Sequence, residues 1–292
     1  MIYKVRHVTA VRYAAMVQLA RFNLRLKPAP WPGQTLLDYR LAVEPRRASI
    51  TTREGAYVVN HSRILMRDPI SDLSIESSFT VEVTPAPVPG LSDGPPLERL
   101  RRSAFDDRDL SKTGPASYLY PSPMAPMESD IAHWAAQLFE GAETVVAAGT
   151  ALMSAIYREF AYDGDATKAD TPPIEAFRKR HGVCQDFAHI MIIAARAHGI
   201  PAAYVSGYLR TIPPPGSPRL VGADATHAWV NLWCGEEWGW VGFDPTNNLI
   251  VLGDHIFTAM GRDYGDVAPV DGVFLGSGGQ SMSVSVDVEP IS

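Results

Sequence analysis

Two thiols occur in the 292 residues, Cys184 and Cys234. Cys184 stands in His181-Gly182-Val183-Cys184-Gln185-Asp186-Phe187, where a glycine turn gives way to an apolar helical run. Unpaired amides and the macrodipole at a helix start favour a thiolate. A thiol nucleophile also needs a histidine within hydrogen-bond reach, and a third group to hold that histidine's tautomer. Of the eight histidines, His189 lies on the same predicted helix but about 140° round from Cys184. His198 falls at that helix's C-terminus, where a cation is favoured for structural reasons. His181 on the entry turn is a weak candidate, and His7, His61 and His133 lie away from the motifs.

His227 is placed differently. In Thr226-His227-Ala228-Trp229-Val230-Asn231-Leu232-Trp233 it shares one strand face with Trp229, Asn231 and Trp233. A turn at Gly235-Glu236-Glu237 predicts a hairpin, and the returning strand ends in Gly242-Phe243-Asp244-Pro245-Thr246-Asn247. That pairing brings a strand-end carboxylate, Asp244, back towards His227. A helix-start cysteine, a strand histidine and a strand-end aspartate together supply nucleophile, base and orienting acid. Cys234 has no such company and reads as a structural thiol.

The elements that must position these groups fall into two halves. Residues 1–84 alternate over 2–9, 22–27, 36–43 and 73–83, with shorter runs at 57–60 and 62–66. Such strands, parted by Pro and Gly turns, predict an N-terminal antiparallel β-sandwich. Pro85, Pro87, Pro89, Pro95 and Pro96 then mark a linker, taken as 85–115. The core, 116–292, opens with helical spacing over 129–140 and 145–160. A third helix starts near Thr171-Pro172 and a fourth covers 184–198, stopped by Gly199 and Pro201. Strands follow at 203–210, 226–233 and 238–243, with a proline-rich loop at 212–218 and a last strand at 280–288. The predicted class is α+β, a sandwich followed by helices packed on an antiparallel sheet.

Composition removes several functions. Twenty-six Lys and Arg against 32 Asp and Glu leave a net charge of −6, which argues against general nucleic-acid binding. Two cysteines cannot make a disulfide scaffold. No apolar stretch reaches the roughly 18 residues of a membrane span, and the N-terminus lacks a signal peptide's apolar core. The expectation is a cytoplasmic protein with no nucleic-acid or membrane partner. Oligomeric state leaves no mark in the sequence.

The stretches Gly182-Val183-Cys184-Gln185-Asp186-Phe187-Ala188-His189, Ala225-Thr226-His227-Ala228-Trp229-Val230 and Gly242-Phe243-Asp244-Pro245-Thr246-Asn247 resemble the bacterial transglutaminase-like family of candidate cysteine proteases. Residues 1–84 resemble that family's N-terminal domain, and Tyr120-Pro121-Ser122-Pro123 and Gly261-Arg262-Asp263-Tyr264 its flanking motifs. The resemblance implies a papain-like core with a Cys184-His227-Asp244 triad. The chemistry expected is attack of Cys184 on an amide, through a thioester, with water or an amine completing the reaction. Amide hydrolysis is preferred, on a peptide or protein substrate. The Cys184 amide is one oxyanion donor; Gln185, Tyr204, Tyr208 and Trp229 are candidates for a second donor or for substrate contact. No cofactor is implied, and no EF-hand-like loop suggests calcium. Two other readings compete: a metal site at His181, Cys184 and His189, and a non-catalytic peptide- or protein-binding module on the same fold.

Overall fold

The structure, a computed structural model, describes residues 1–46, 48–211 and 226–291. The strands of the first third are β1 (Ile2–Val17), β2 (Leu19–Leu24), β3 (Gln34–Glu44), β4 (Ser49–Glu54), β5 (Asn60–Met66) and β6 (Ile70–Val83). In β1 the alternation seen in the sequence becomes alternation of burial, with Tyr3, Val5, His7, Thr9 and Val11 inward and Lys4, Arg6 and Arg12 exposed. Helix α1 (Leu97–Asp106) follows, then α2 (Ser129–Leu138), α3 (Val145–Glu159), β7 (Ala161–Tyr162), α4 (Pro173–Lys179), β8 (His181–Gly182) and α5 (Cys184–Ala197). The remainder is β9 (Ala202–Leu209), β10 (Thr226–Trp233), β11 (Trp240–Asp244), β12 (Leu249–Ile250), β13 (His255–Gly261), α6 (Tyr264–Val267), β14 (Val270–Leu275) and β15 (Gln280–Pro290).

Two four-stranded antiparallel sheets, ordered β15-β1-β6-β3 and β14-β2-β5-β4, enclose a core that includes Val11, Val17, Phe22, Leu24, Ile64, Met66 and Ile75. The third large sheet, β12-β11-β10-β9-β13, is also antiparallel. The α+β class read from the sequence is what the chain adopts.

The sandwich corrects the sequence reading of its own boundaries. Strands β14 and β15, assigned to the core of 116–292, pair instead with β2 and β1, β15 in an unbroken register from Tyr13↔Gln280 to Tyr3↔Pro290. Alternation announces a strand but not its partner. A 16-residue β1 with one edge on β6 needs its other edge covered. Strand β4 was missed because all six of its residues are exposed, which leaves no periodicity to detect. Of residues 57–60, read as a strand, Val58 makes an isolated bridge to Met260 and Asn60 opens β5. Within 85–115, read as a linker, α1 buries Leu97, Leu100 and Ala104 at helical spacing. The loop expected at 212–218 lies outside the described residues.

Helix α5 is the pillar of the core. Every residue from Asp186 to Arg196 is buried, and Ile190, Ile192 and Ile193 each contribute about 1.5–3 kcal/mol of hydrophobic stabilisation. Arg196 is sunk with them because its guanidinium donates to the carbonyls of Tyr118, Ala202 and Arg262 and to Ser122 Oγ. Gly199 ends the helix at φ +73°, a left-handed position where a Cβ would be strained. Among the described residues, no helix is long and apolar enough to cross a membrane.

Candidate functional site

Cys184 is the first residue of α5, part-exposed at the end of a helix otherwise buried. The first helical hydrogen bond is Phe187 N–H to Val183 O, so the amides of Cys184 and Gln185 have no acceptor within the helix. Asp186 folds back over this start. Its Oδ2 accepts from Val183 N–H at 2.8 Å and from Thr167 Oγ1 at 2.6 Å. Gly182 passes so close that a Cβ there would lie 2.8 Å from the same oxygen. Burial pushes the Asp186 carboxyl up, and those two bonds oppose the rise. The glycine before the cysteine is thus a close-approach residue, and the aspartate after it fixes the turn.

His227 opens the buried part of β10, and Asp244 ends β11 with no exposed surface. His227 Nε2–H donates to Asp244 Oδ2 at 2.7 Å. That leaves Nδ1 as the ring nitrogen for the nearby Cys184, which adds to the rise in the histidine's pKa. Five donors converge on the carboxylate. Oδ2 accepts from His227, from His255 Nε2 at 3.0 Å and from Asn247 Nδ2 at 2.8 Å; Oδ1 accepts from the amides of Thr246 at 3.0 Å and Asn247 at 3.2 Å. Burial alone would push this carboxyl up, but the bonds from His227, His255 and Asn247 hold it below the usual carboxylate range. Burial alone would likewise pull His227 down. Its bond to Asp244 and the nearby Cys184 outweigh that, and its pKa is pushed up to about 10. The arrangement can hold an imidazolium beside the Cys184 sulfur.

The other histidines are used elsewhere. His189 is buried, accepts from Tyr264 N–H at 3.2 Å, and burial lowers it to about 4. His181 is exposed and donates from Nδ1 to Lys179 O at 2.8 Å. Neither shares a polar contact with Cys184, so the metal set considered at His181, Cys184 and His189 is not assembled among the described residues. A different trio is close enough to hold an ion: His227 Nε2, Asp244 Oδ2 and His255 Nε2 lie within 4.8 Å of one another. Two imidazoles and a carboxylate are a donor set zinc accepts. Coordination would require both rings to give up the Nε2 protons that now bond Asp244. Burial raises the Cys234 thiol to about 12, as suits a structural cysteine.

The remaining predicted residues separate. The Gln185 side chain is occupied, donating to Ala169 O at 2.9 Å. Tyr204 is buried in the helix-side core; burial raises its phenol, and the nearby Cys184 adds to the rise. Tyr162 and Tyr264, which the sequence reading passed over, feel the same thiol. Tyr208 does not belong with them. Strand β9 runs on beyond the helical layer, so Tyr208 packs with Tyr3, Phe79 and Val81 of the sandwich and its hydroxyl meets His7 Nδ1 at 3.0 Å. Trp229 is 2% exposed behind the histidines, 5.2 Å from the His255 ring in edge-on contact. Both are buried packing residues in this structure. Asn247 and His255 were missed as partners of Asp244. The Asp-Pro-Thr-Asn turn carried a signal for Asn247, since a strand-end Asp often bonds the amides after it; nothing local pointed His255 at Asp244. Arg262 pairs with Asp266 at 3.0 Å, and Asp263 accepts from the amides of Met124 and Gly265, each at 2.9 Å.

The chain was compared with known proteins. Residues 132–245 match the transglutaminase-like superfamily, and residues 3–82 match the bacterial transglutaminase-like N-terminal region. An uncharacterized protein of Mycobacterium tuberculosis strain H37Rv is 36% identical over 295 residues, covering 99% of this chain and 92% of that one. A protein-glutamine gamma-glutamyltransferase of Pseudomonas aeruginosa is 42% identical over 82 residues, 28% of this chain and 12% of its own length. Among solved structures, a candidate cysteine protease from Cytophaga hutchinsonii superposes with a TM-score of 0.76 at 22% identity, covering 100% of this chain and 92% of that one. At that identity the likeness concerns the fold.

Proposed function

The chain belongs to the transglutaminase-like superfamily, and from that premise we propose that it is a thiol-dependent enzyme acting on amides through Cys184, His227 and Asp244. The observation that carries the reading is the position of His227, near enough to Cys184 for that residue to help raise its pKa and hydrogen-bonded at 2.7 Å to a fully buried Asp244 that its donors hold ionised. His227 takes the thiol proton and Asp244 stabilises the resulting imidazolium. The Cys184 sulfur adds to the amide carbon, and the carbonyl oxygen becomes an oxyanion next to the free first-turn amides of α5. Collapse of that intermediate breaks the C–N bond. The leaving amine receives the proton from His227, and a thioester to Cys184 remains. Water then attacks the thioester, His227 accepts its proton and returns it to the sulfur, and a carboxylic acid leaves. A primary amine in place of water would give a new amide by the same steps.

Hydrolysis of a peptide or protein amide is the preferred outcome, because among the described residues none near Cys184 is dedicated to an incoming amine. The test is mass spectrometry of the protein after incubation with an amide library, with and without a primary amine, for wild type and Cys184→Ala. The expected result is an acyl adduct on Cys184 and free acid as product. A transamidated product would redirect the proposal to acyl transfer, and undiminished turnover by Cys184→Ala would refute the mechanism.

A further inference from the structure

His255 is the first residue of β13, eleven residues beyond Asp244 in sequence and 5% exposed. Its Nε2 lies 3.0 Å from the carboxylate oxygen that also receives His227. Its Nδ1 is buried and has no partner among the described residues. A proton there would be a buried donor without an acceptor, so the ring's proton belongs on Nε2, aimed at Asp244. Edge-on contact with Trp229 fixes the plane of the ring. Gly207, opposite His227 in the β9–β10 register, keeps this space open; a Cβ there would meet Ile256 O at 2.2 Å and Trp229 Cη2 at 2.5 Å.

The segment bearing His255 is gripped on both sides by the N-terminal sandwich. On one side, the Tyr3 hydroxyl of β1 lies 2.9 Å from both Gly253 O and Asp254 Oδ1. On the other, Gln34 of β3 brackets Phe257, donating to its carbonyl at 2.8 Å and accepting from its amide at 2.9 Å. Trp31 stacks on the Phe257 ring at 4.4 Å, and Ala29 N–H donates to Thr258 O at 2.9 Å. The sandwich thus touches the chain two residues before and two residues after His255.

We propose that His255 is a positioning residue for Asp244, and that the N-terminal sandwich holds it in place through Tyr3, Gln34 and Trp31, making the sandwich part of the catalytic apparatus. The proposal rests on the reading of Cys184, His227 and Asp244 given above. The groups facing Asp244 are His227 from β10, His255 from β13 and Asn247 from the turn after β11. Cys184 of α5 lies near His227, and Asp254, next to His255, pairs with Arg210 at 3.4 Å.

The experiment is an NMR titration of the His227 ring in the full chain, alongside the rate of Cys184 acylation by p-nitrophenyl acetate. Wild type is compared with His255→Leu, His255→Gln and Gln34→Leu. Loss of a held carboxylate is expected to move the His227 titration down by about one pH unit in His255→Leu and to slow acylation roughly tenfold. His255→Gln, whose amide can donate to the same oxygen, should recover most of both. Gln34→Leu removes two hydrogen bonds remote from the thiol and should shift the titration in the same direction by less, with an unchanged circular dichroism spectrum. If His255→Leu does not fold, Gln34→Leu decides. A titration that stays in place overturns the proposal. So does one that moves up, because His255 would then be competing with His227 for the oxygen; so does a His255→Gln protein as impaired as His255→Leu. Failure of the underlying triad would show separately, as acylation that survives in Cys184→Ala.

Discussion

His7 and His227 are both almost fully buried, at 1% and 9% exposure, and both have two polar partners, yet burial leaves the first neutral while the second is held cationic. His7 sits where the sandwich meets β9, between the hydroxyls of Tyr208 and Thr9, each 3.0 Å away. Burial there has nothing ionic to oppose it, and the ring is pulled down to about 4. His227 pays the same desolvation cost but faces a carboxylate already held ionised by other donors. Burial therefore does not decide the protonation of a histidine; it amplifies whatever partner is present. Hydroxyls leave the ring neutral, whereas a carboxylate fixed by its own hydrogen bonds keeps it cationic.

The largest expected effect comes from removing that difference. Asp244→Asn should bring His227 from about 10 to below its ordinary value, towards the behaviour of His7, and lower turnover at neutral pH by roughly 10³–10⁴. NMR titration and thioester formation measured on the same sample would check both. A His227 ring that stays cationic in this variant would break the comparison.

The pH dependence of stability should show the two kinds of histidine as separate limbs. His7 and His189 have folded values lowered to about 4, so their contribution is complete above the unfolded value of about 6.5 and is lost as pH falls from there towards 4. His227 is raised to about 10, so its contribution is complete below about 6.5 and is lost as pH rises towards 10. Asp244, held low, contributes above its unfolded value and is lost only in stronger acid. Thermal unfolding should therefore be most resistant near neutrality. His7→Gln should flatten the acid limb and leave the alkaline limb alone; an unaltered acid limb would contradict the assignment.

The smallest effect extends the comparison to the thiols. Cys234→Ala should leave the rate of iodoacetamide alkylation at Cys184 unchanged. It should cost about 1 kcal/mol of stability, the price of a small buried group, read as a shift of a few degrees in Tm. Loss of alkylation in this variant would mean that the wrong cysteine had been singled out.

What could be read from the sequence follows the range of each signal. Cys184 at a helix start, His227 on a strand and Asp244 at a strand end are each marked by their nearest neighbours: the glycine before, the alternation around, the proline after. The pairing of His227 with Asp244 followed from one hairpin. His255 lies beyond that reach, since its orientation depends on β13 joining β9 rather than its sequence neighbours. Tyr204 and Tyr208 look alike in sequence, and only the end of the helical layer separates a residue near the thiol from one packed on the sandwich. The partners of β14 and β15 were illegible for the same reason, because each pairs with a strand more than 240 residues earlier, Leu24↔Val270 being one such pair.

That last pairing bears on how the protein is made. Strand β1 emerges from the ribosome long before the strand that covers its open edge, β15, which is not translated until residues 280–290. At about 5–20 residues per second, β1 waits tens of seconds for it. Throughout that interval an exposed edge with a buried-type face is available to neighbouring nascent chains. The sheet that carries Tyr3 and Gln34 is completed only after Cys184, His227 and Asp244 have all been synthesised. The order of synthesis therefore delays the finished clamp on His255 until the whole site exists, and makes this edge the point at which a chaperone would be most needed.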